Sequence, residues 1–215
     1  RVVPMLPEEL CNGVCSLVPD EDRLAFSVFM TFDKAGEMVA RRFAKSVIRS
    51  QARFTYEEVM AILDGAGGKG GKVLLPETLD VSPRVCVRTI RAIGELAQQL
   101  RAKRFAAGAL DLEVPEAEVT LDADGEMTGL VTRPYDESHQ MIEECMVAAN
   151  EAVAKELWAN GVKILARLHE SPDPEKLLTL RAEMRGLGVK MGNIENPKVF
   201  AQFLKAIKKN PLYPT

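Results

Sequence analysis

The chain alternates before it winds. Between residues 24 and 32 the apolar side chains Leu24, Phe26, Val28, Met30 and Phe32 recur at every second position, the signature of a strand with one apolar face. DKAGE (33–37) then reads as a turn and MVARRFAKSVIRS (38–50) as a returning extended segment, so the spacing predicts a β-hairpin. From residue 54 the period changes. FTYEEVMAILDG (54–65) predicts a short helix capped by Thr55, with Glu58 three residues later completing a capping box. Ser82 and Pro83 open a long helix that runs to about Ala107, with Val85, Ile90, Ile93, Leu96, Ala97 and Leu100 inside and Gly108 as its stop. A second hairpin is predicted around DADGE (122–126), followed by a helix over 138–160 and a strand at VKILARLHE (162–170). Two further helices, DPEKLLTLRAEMRGLG (173–188) and NPKVFAQFLKAIKKN (196–210), end the pattern. This order is α+β rather than regular βαβ alternation.

The helix over 138–160 carries the most informative pattern. Met141, Ile142, Cys145, Met146, Ala149 and Val153 form its predicted buried stripe, while His139, Glu143 and Asn150 run up the border of that stripe. A period of 3.6 residues brings positions i, i+4 and i+11 onto nearly one line. A histidine, a carboxylate and an amide are thus aimed at whatever packs beside the helix. The adjacent Glu143 and Glu144 diverge by about 100° around the axis, so only one of them can face that way.

Cations also follow a pattern. Arg41, Lys45, Arg49 and Arg53 all occupy odd positions of the returning strand, which places them on one face. That face is either a solvated sheet surface or a track for phosphates. The whole chain does not decide between them, because 28 basic residues are balanced against 31 acidic ones in 215, a net charge of −3. General attraction to nucleic acid or to an anionic membrane is excluded, and any polyanion site must be local.

Most chemical motifs are absent. Cys11, Cys15, Cys86 and Cys145 form no disulfide framework, and with only His139 and His169 available no zinc spacing exists. GAGGKGGK (65–72) is not a phosphate loop: Leu63 and Ala66 stand where the leading glycine should be, and Val73 follows the lysine in place of Ser or Thr. It reads as a flexible connection. Neither a nucleophile elbow nor a dinucleotide fingerprint appears. No apolar run reaches the roughly 18 residues that span a bilayer, and RVVPML lacks a charged head before an apolar signal region. A reducing cytoplasm is the expected home. The chain starts at Arg1 and ends in PLYPT, and is expected to be a piece of a longer protein.

Several blocks taken in order resemble one known family. PMLPEELCNGVCSLVPDEDRLAFSVFMTFDKAGE, FAKSVIRSQARFTYEEV, ALDLEVPEAEV, SHQMIEECMVAANEAVA and RLHESPDPEKLLTL are similar to successive parts of the catalytic domain of the ribonuclease II and ribonuclease R (RNB) exoribonucleases. The resemblance implies an α+β fold with an RNB-type catalytic core, antiparallel hairpins followed by packed helices. Residues 1–215 would be its central fragment, with the family's aspartate cluster upstream, its arginine block downstream and its OB-type flanking domains all outside the chain. It further implies a 3′→5′ hydrolytic exoribonuclease that converts single-stranded RNA to nucleoside 5′-monophosphates with Mg²⁺. On that reading the catalytic and metal-binding residues lie outside these 215, and the isolated chain is expected to be inactive. No membrane and no obligate protein partner is implied.

Residue by residue, the resemblance assigns RNA contacts to Tyr56, near the 3′ end of the RNA, and to Glu143, at the terminal nucleotides and their 2′-hydroxyls. Leu112 stands where several relatives stack a Phe on a base, a contact worth about 1–3 kcal/mol that an aliphatic side chain does not supply. His139 and Asn150 would line the channel floor with Glu143, or make ordinary core hydrogen bonds. Arg49 and Arg53 would meet phosphates. The alternative is a non-catalytic RNB-like module that binds RNA or a protein partner.

Overall fold

A computed structural model describes residues 3–65, 82–110, 112, 117–122, 124–132 and 135–208. After a short helical segment, Glu9–Val14, come strands β1 (Asp22–Phe32) and β2 (Met38–Arg49) and helices α1 (Tyr56–Leu63) and α2 (Pro83–Ala106). Strands β3 (Ala117–Leu121) and β4 (Met127–Thr132) follow, then helices α3 (Glu137–Ala159), α4 (Pro174–Gly186) and α5 (Pro197–Ile207). The glycine-rich run from Ala66 onward lies outside the described residues.

Both hairpins are closed by the same local chemistry. Asp33 Oδ1 accepts from the backbone N–H groups of Ala35 at 2.8 Å and Glu37 at 2.9 Å. Asp122 Oδ1 does the same for Asp124 at 3.0 Å and Glu126 at 2.9 Å. Each turn then needs a left-handed residue, supplied by Gly36 (φ 73°) and Gly125 (φ 84°). β1 pairs with β2 in antiparallel register, with Phe26 opposite Lys45 and Asp22 opposite Arg49. The first turn is tied down by Gln99 of α2, whose Nε2 donates to the Lys34 carbonyl at 2.5 Å.

The chain divides into two compact units, residues 1–100 with 135–162, and residues 101–134 with 163–215. In the first, Val59 and Ile62 of α1, Ile90 and Ala97 of α2 and Met141 of α3 form the core, with Phe54, Leu63, Val87 and Ile93 packed against it. Ile62 has no exposed surface. At eight residues α1 is too short to persist alone, so this packing is what keeps it helical. α2 can approach α1 because position 94 is glycine: a Cβ there would lie 2.8 Å from Leu63 Cδ2. In the second unit Ile194 is buried, Phe200 and Phe203 stack along α5 at 6.1 Å, and Asn196 caps α5 through the Lys198 N–H at 3.0 Å.

Two expectations are corrected, and one element was not expected. VKILARLHE forms no strand: a strand needs a ladder partner, none pairs with it among the described residues, and Leu165 and Leu168 stand exposed. Glu9–Val14 is helical, although period-two reading begins only at residue 24 and assigns it nothing. On α3 the buried line is rotated from the predicted stripe. Ser138, Met141, Glu144 and Ala152 are buried, whereas Ile142 is 41% and Met146 59% exposed. Polar Ser138 and Glu144 share the buried face, which hydrophobicity alone places outside.

Substitution therefore separates the two lines. On α3, Met141→Ala is expected to cost about 2–5 kcal/mol in urea unfolding and Ile142→Ala under about 1 kcal/mol; similar losses at both positions would restore the predicted stripe.

Candidate nucleic-acid interface

Two helix N-termini build the site. At α1, the Thr55 hydroxyl accepts from the Glu58 N–H at 3.3 Å, while Glu58 Oε2 accepts from the Thr55 N–H at 2.7 Å. This capping box fixes Tyr56 as the first helical residue. At α3, Asp136 Oδ1 accepts from the N–H groups of Ser138 at 3.0 Å and His139 at 3.4 Å and from the Ser138 hydroxyl at 2.5 Å. The same oxygen is 2.9 Å from His139 Nδ1. An ionised carboxylate can only accept, so Nδ1 carries the proton.

With α1 packed on α3, the Tyr56 ring lies flat on the His139 imidazole, centroids 3.7 Å apart and planes inclined by 15°. The Tyr135 ring stands 6.2 Å from His139, and its hydroxyl donates to Glu143, one turn further along α3. Three predicted site residues, Tyr56, His139 and Glu143, are thus brought together, with Tyr135 and Asp136 added. Asp136 had a signal, since it is the N-cap of a helix that begins at Glu137 rather than at residue 138. Tyr135 had none, because a loop aromatic shows its partner only in three dimensions.

Carboxylates surround the imidazole. Partial burial pushes the Asp136 carboxyl up, but the bonds from Ser138 and His139 outweigh it and hold the group at about 2. Glu57 is lowered by its own backbone N–H and by the Thr55 hydroxyl, against burial and Asp136, with a further contribution from His139. A surface rich in acceptors suits ligand groups that donate, such as hydroxyls and amines. Behind the site, burial and Glu144 push the Cys145 thiol up, so it stays protonated and unreactive.

The contacts above do not include the other predicted residues. Asn150 is exposed two turns beyond Glu143, about 10 Å along α3. Leu112 is exposed and belongs to the second compact unit. Arg49 donates to Asp22 across the hairpin at 2.8 Å, and Arg41 donates to Glu156 of α3 at 3.0 Å. Arg53 lies beyond the end of β2, where period-two alternation no longer orients it. Three of the four predicted cations, Arg41, Lys45 and Arg49, therefore keep one face of β2, two of them paired with carboxylates, and only Arg53 falls outside the strand.

Among the described residues no group of three or more His, Cys, Asp or Glu is placed to hold a metal ion, and no helix is long and apolar enough to cross a membrane.

Comparison with known proteins supplies the family. The profile described as RNB domain matches residues 1–214. The chain belongs to the RNB family. This RNB chain is 38% identical over 213 residues to ribonuclease R of Aquifex aeolicus, covering 98% of itself and 29% of the relative. It is 30% identical to ribonuclease R of Escherichia coli, covering 25% of that protein. Ribonuclease R of Mycoplasma genitalium, solved in complex with ribose-methylated single-stranded RNA, superposes with a TM-score of 0.85 at 29% identity, over 98% of this chain and 32% of that one. The RNB chain thus spans about a quarter to a third of the relatives it matches, and the expected RNB-type α+β core is the fold observed.

The depressed Asp136 carboxyl gives a pH signature. Its folded value, about 2, lies below the ordinary ~3.9 of an unfolded Asp, so its contribution is complete above about pH 4 and lost as pH falls toward 2. Asp136→Asn is expected to flatten that acid limb in thermal unfolding followed against pH, and Asp136→Ala to lower stability by about 1 kcal/mol at neutral pH.

Proposed function

We propose that this RNB chain is the central part of the catalytic domain of a 3′→5′ exoribonuclease that hydrolyses single-stranded RNA to nucleoside 5′-monophosphates in the cytoplasm. The observation that carries the reading is the Tyr56–His139 stack beside Glu143 in a chain that matches the RNB profile over residues 1–214. Tyr56 is 40% exposed, with one ring face taken by His139, so a base can meet it from the remaining side. Such stacking is worth about 1–3 kcal/mol and tolerates any base. Glu143 is an acceptor suited to a ribose 2′-hydroxyl, the group that separates RNA from DNA. The acceptors at this site suit the hydroxyls and amines of sugar and base at the end of the strand.

The Mg²⁺ implied by the family resemblance finds no fit among the described residues. Its ligands would then lie in parts of the protein outside these residues. Within the chain, Tyr56 and Glu143 bind and orient the terminal nucleotides, and His139 supports the ring.

A 5′-labelled single-stranded RNA, incubated with the complete gene product and Mg²⁺ and then with EDTA, is expected to give a ladder shortening from the 3′ end that EDTA abolishes. Binding without cleavage would favour a non-catalytic RNB-like module. Tyr56→Ala should weaken RNA binding by about 5- to 100-fold, the equivalent of one lost stack. Joint charge reversal of Arg49 and Arg53 tests the phosphate reading separately: weaker binding with a flatter salt dependence supports it, and unchanged affinity at low salt rejects it.

A further inference from the structure

We propose that Arg84, Arg88 and Arg91 form a cationic line on α2 that binds the phosphate backbone of single-stranded RNA. The inference rests on the RNA reading above and deepens it by naming where the charge of the strand is held.

Helical spacing puts the three on one side. Residues 84, 88, 91, 95 and 98 follow one another by four, three, four and three positions, so they run up a single flank of α2. Two bonds locate that flank. Arg91 Nε donates to the Ile62 carbonyl in the last turn of α1 at 3.3 Å, and Gln98 Nε2 donates to Glu137 Oε2 in the first turn of α3 at 3.1 Å. The line therefore starts at the α3 N-terminus and leads away from it, past Glu95 to Arg91 at the far end of α1 and on to Arg88 and Arg84. From Arg91 to Arg84 is about 10 Å of helix.

The charge on this line is unbalanced. No Asp or Glu occurs between Pro83 and Gly94, and all three arginines are exposed. None of them pairs with a carboxylate among the described residues. The hairpin arginines Arg41 and Arg49, by contrast, hold Glu156 and Asp22. The placement also works against the helix. Arg84 stands in the first turn, where the dipole prefers an anion, and Arg84 and Arg88 are like charges one turn apart. α1 shows the favourable arrangement, with Glu57 and Glu58 in its first turn.

A polyanion along this flank relieves both repulsions, and arginine suits it because the guanidinium presents a fork of N–H donors to phosphate oxygens. Arg91 spends one of its five N–H groups on Ile62, which fixes it on the flank. Continuity with the candidate site favours RNA over an acidic polypeptide as the occupant. A strand whose end lies at the α3 N-terminus has to leave along some flank, and beyond Glu95 the charged groups of this one are all cations.

The test is the affinity of the complete gene product for a 5′-labelled single-stranded RNA, measured in EDTA over a series of KCl concentrations. Arg84→Gln combined with Arg88→Gln is expected to weaken binding at low salt. It should also reduce the slope of log K against log [KCl] by about 1.4, two phosphate contacts at about 0.7 each. Its unfolding temperature should equal or exceed that of the wild type, because a repulsion has been removed. Arg84→Lys combined with Arg88→Lys keeps the charge and should keep most of the slope. Lys176→Gln combined with Arg185→Gln removes the same charge from exposed positions of α4 and should leave the slope unchanged.

A wild type that does not bind single-stranded RNA overturns the functional reading and this inference with it. A wild type that binds, with the glutamine pair on α2 unchanged in affinity and slope, overturns the inference and leaves the function intact. An equal fall in the α4 control reveals a general charge effect and overturns it too. If weaker binding comes with a lowered unfolding temperature, the arginines serve the fold and the inference falls. Loss of binding to polyglutamate with RNA binding unchanged overturns it in favour of an acidic protein partner.

Discussion

The interface depends on a small apolar seam behind it. Ile62 and Val59 of α1 meet Ile90 and Ala97 of α2 and Met141 of α3, and an eight-residue helix relies on such packing to stay folded. The seam matters more than its size suggests, because Tyr56 is the first residue of α1 and His139 lies in the first turn of α3. Any slip between the two helices would separate the rings before it exposed much of the core. The glycine at position 94 is part of the same constraint, since it lets α2 come close enough to close the seam from the far side.

Electrostatics divides the first unit by chemistry. Asp136 and Glu57 stand near His139, both carboxyls lowered by hydrogen bonds at helix N-termini. On the hairpin the cations are prominent in sequence yet partly committed, Arg41 to Glu156 and Arg49 to Asp22. These exposed pairs contribute little to stability individually. They do change what the sheet face offers to a polyanion, which a count of basic residues would overstate.

What could be read in advance follows from the range of the cause. The two hairpins and the caps were legible, since Asp-x-x-Gly-Glu turns and the Thr55/Glu58 box close through bonds spanning at most four residues. The row of His139 and Glu143 was legible because helical spacing alone puts them on one side. The buried line of α3 was not, since polar Ser138 and Glu144 take positions that pattern assigns to apolar residues. The missing strand at 162–170 failed for a related reason: alternation describes a segment, while a strand is a property of a pair. Tyr135 belongs to the same class, as its role lies in a contact across eight positions that no periodicity encodes.

One oxygen atom, Asp136 Oδ1, both caps α3 and holds the His139 ring. Mutation at this residue is consequently filtered twice, once through the folding of the helix and once through the aromatic pair above it. Of the replacements that preserve a cap, serine and threonine carry a shorter oxygen that would not keep the same reach to the imidazole, so the set of tolerated residues is narrower than either duty alone would demand. A lineage could drift freely at the exposed Ile142 or Met146 while this position stayed almost still, for reasons that have nothing to do with contact to a substrate.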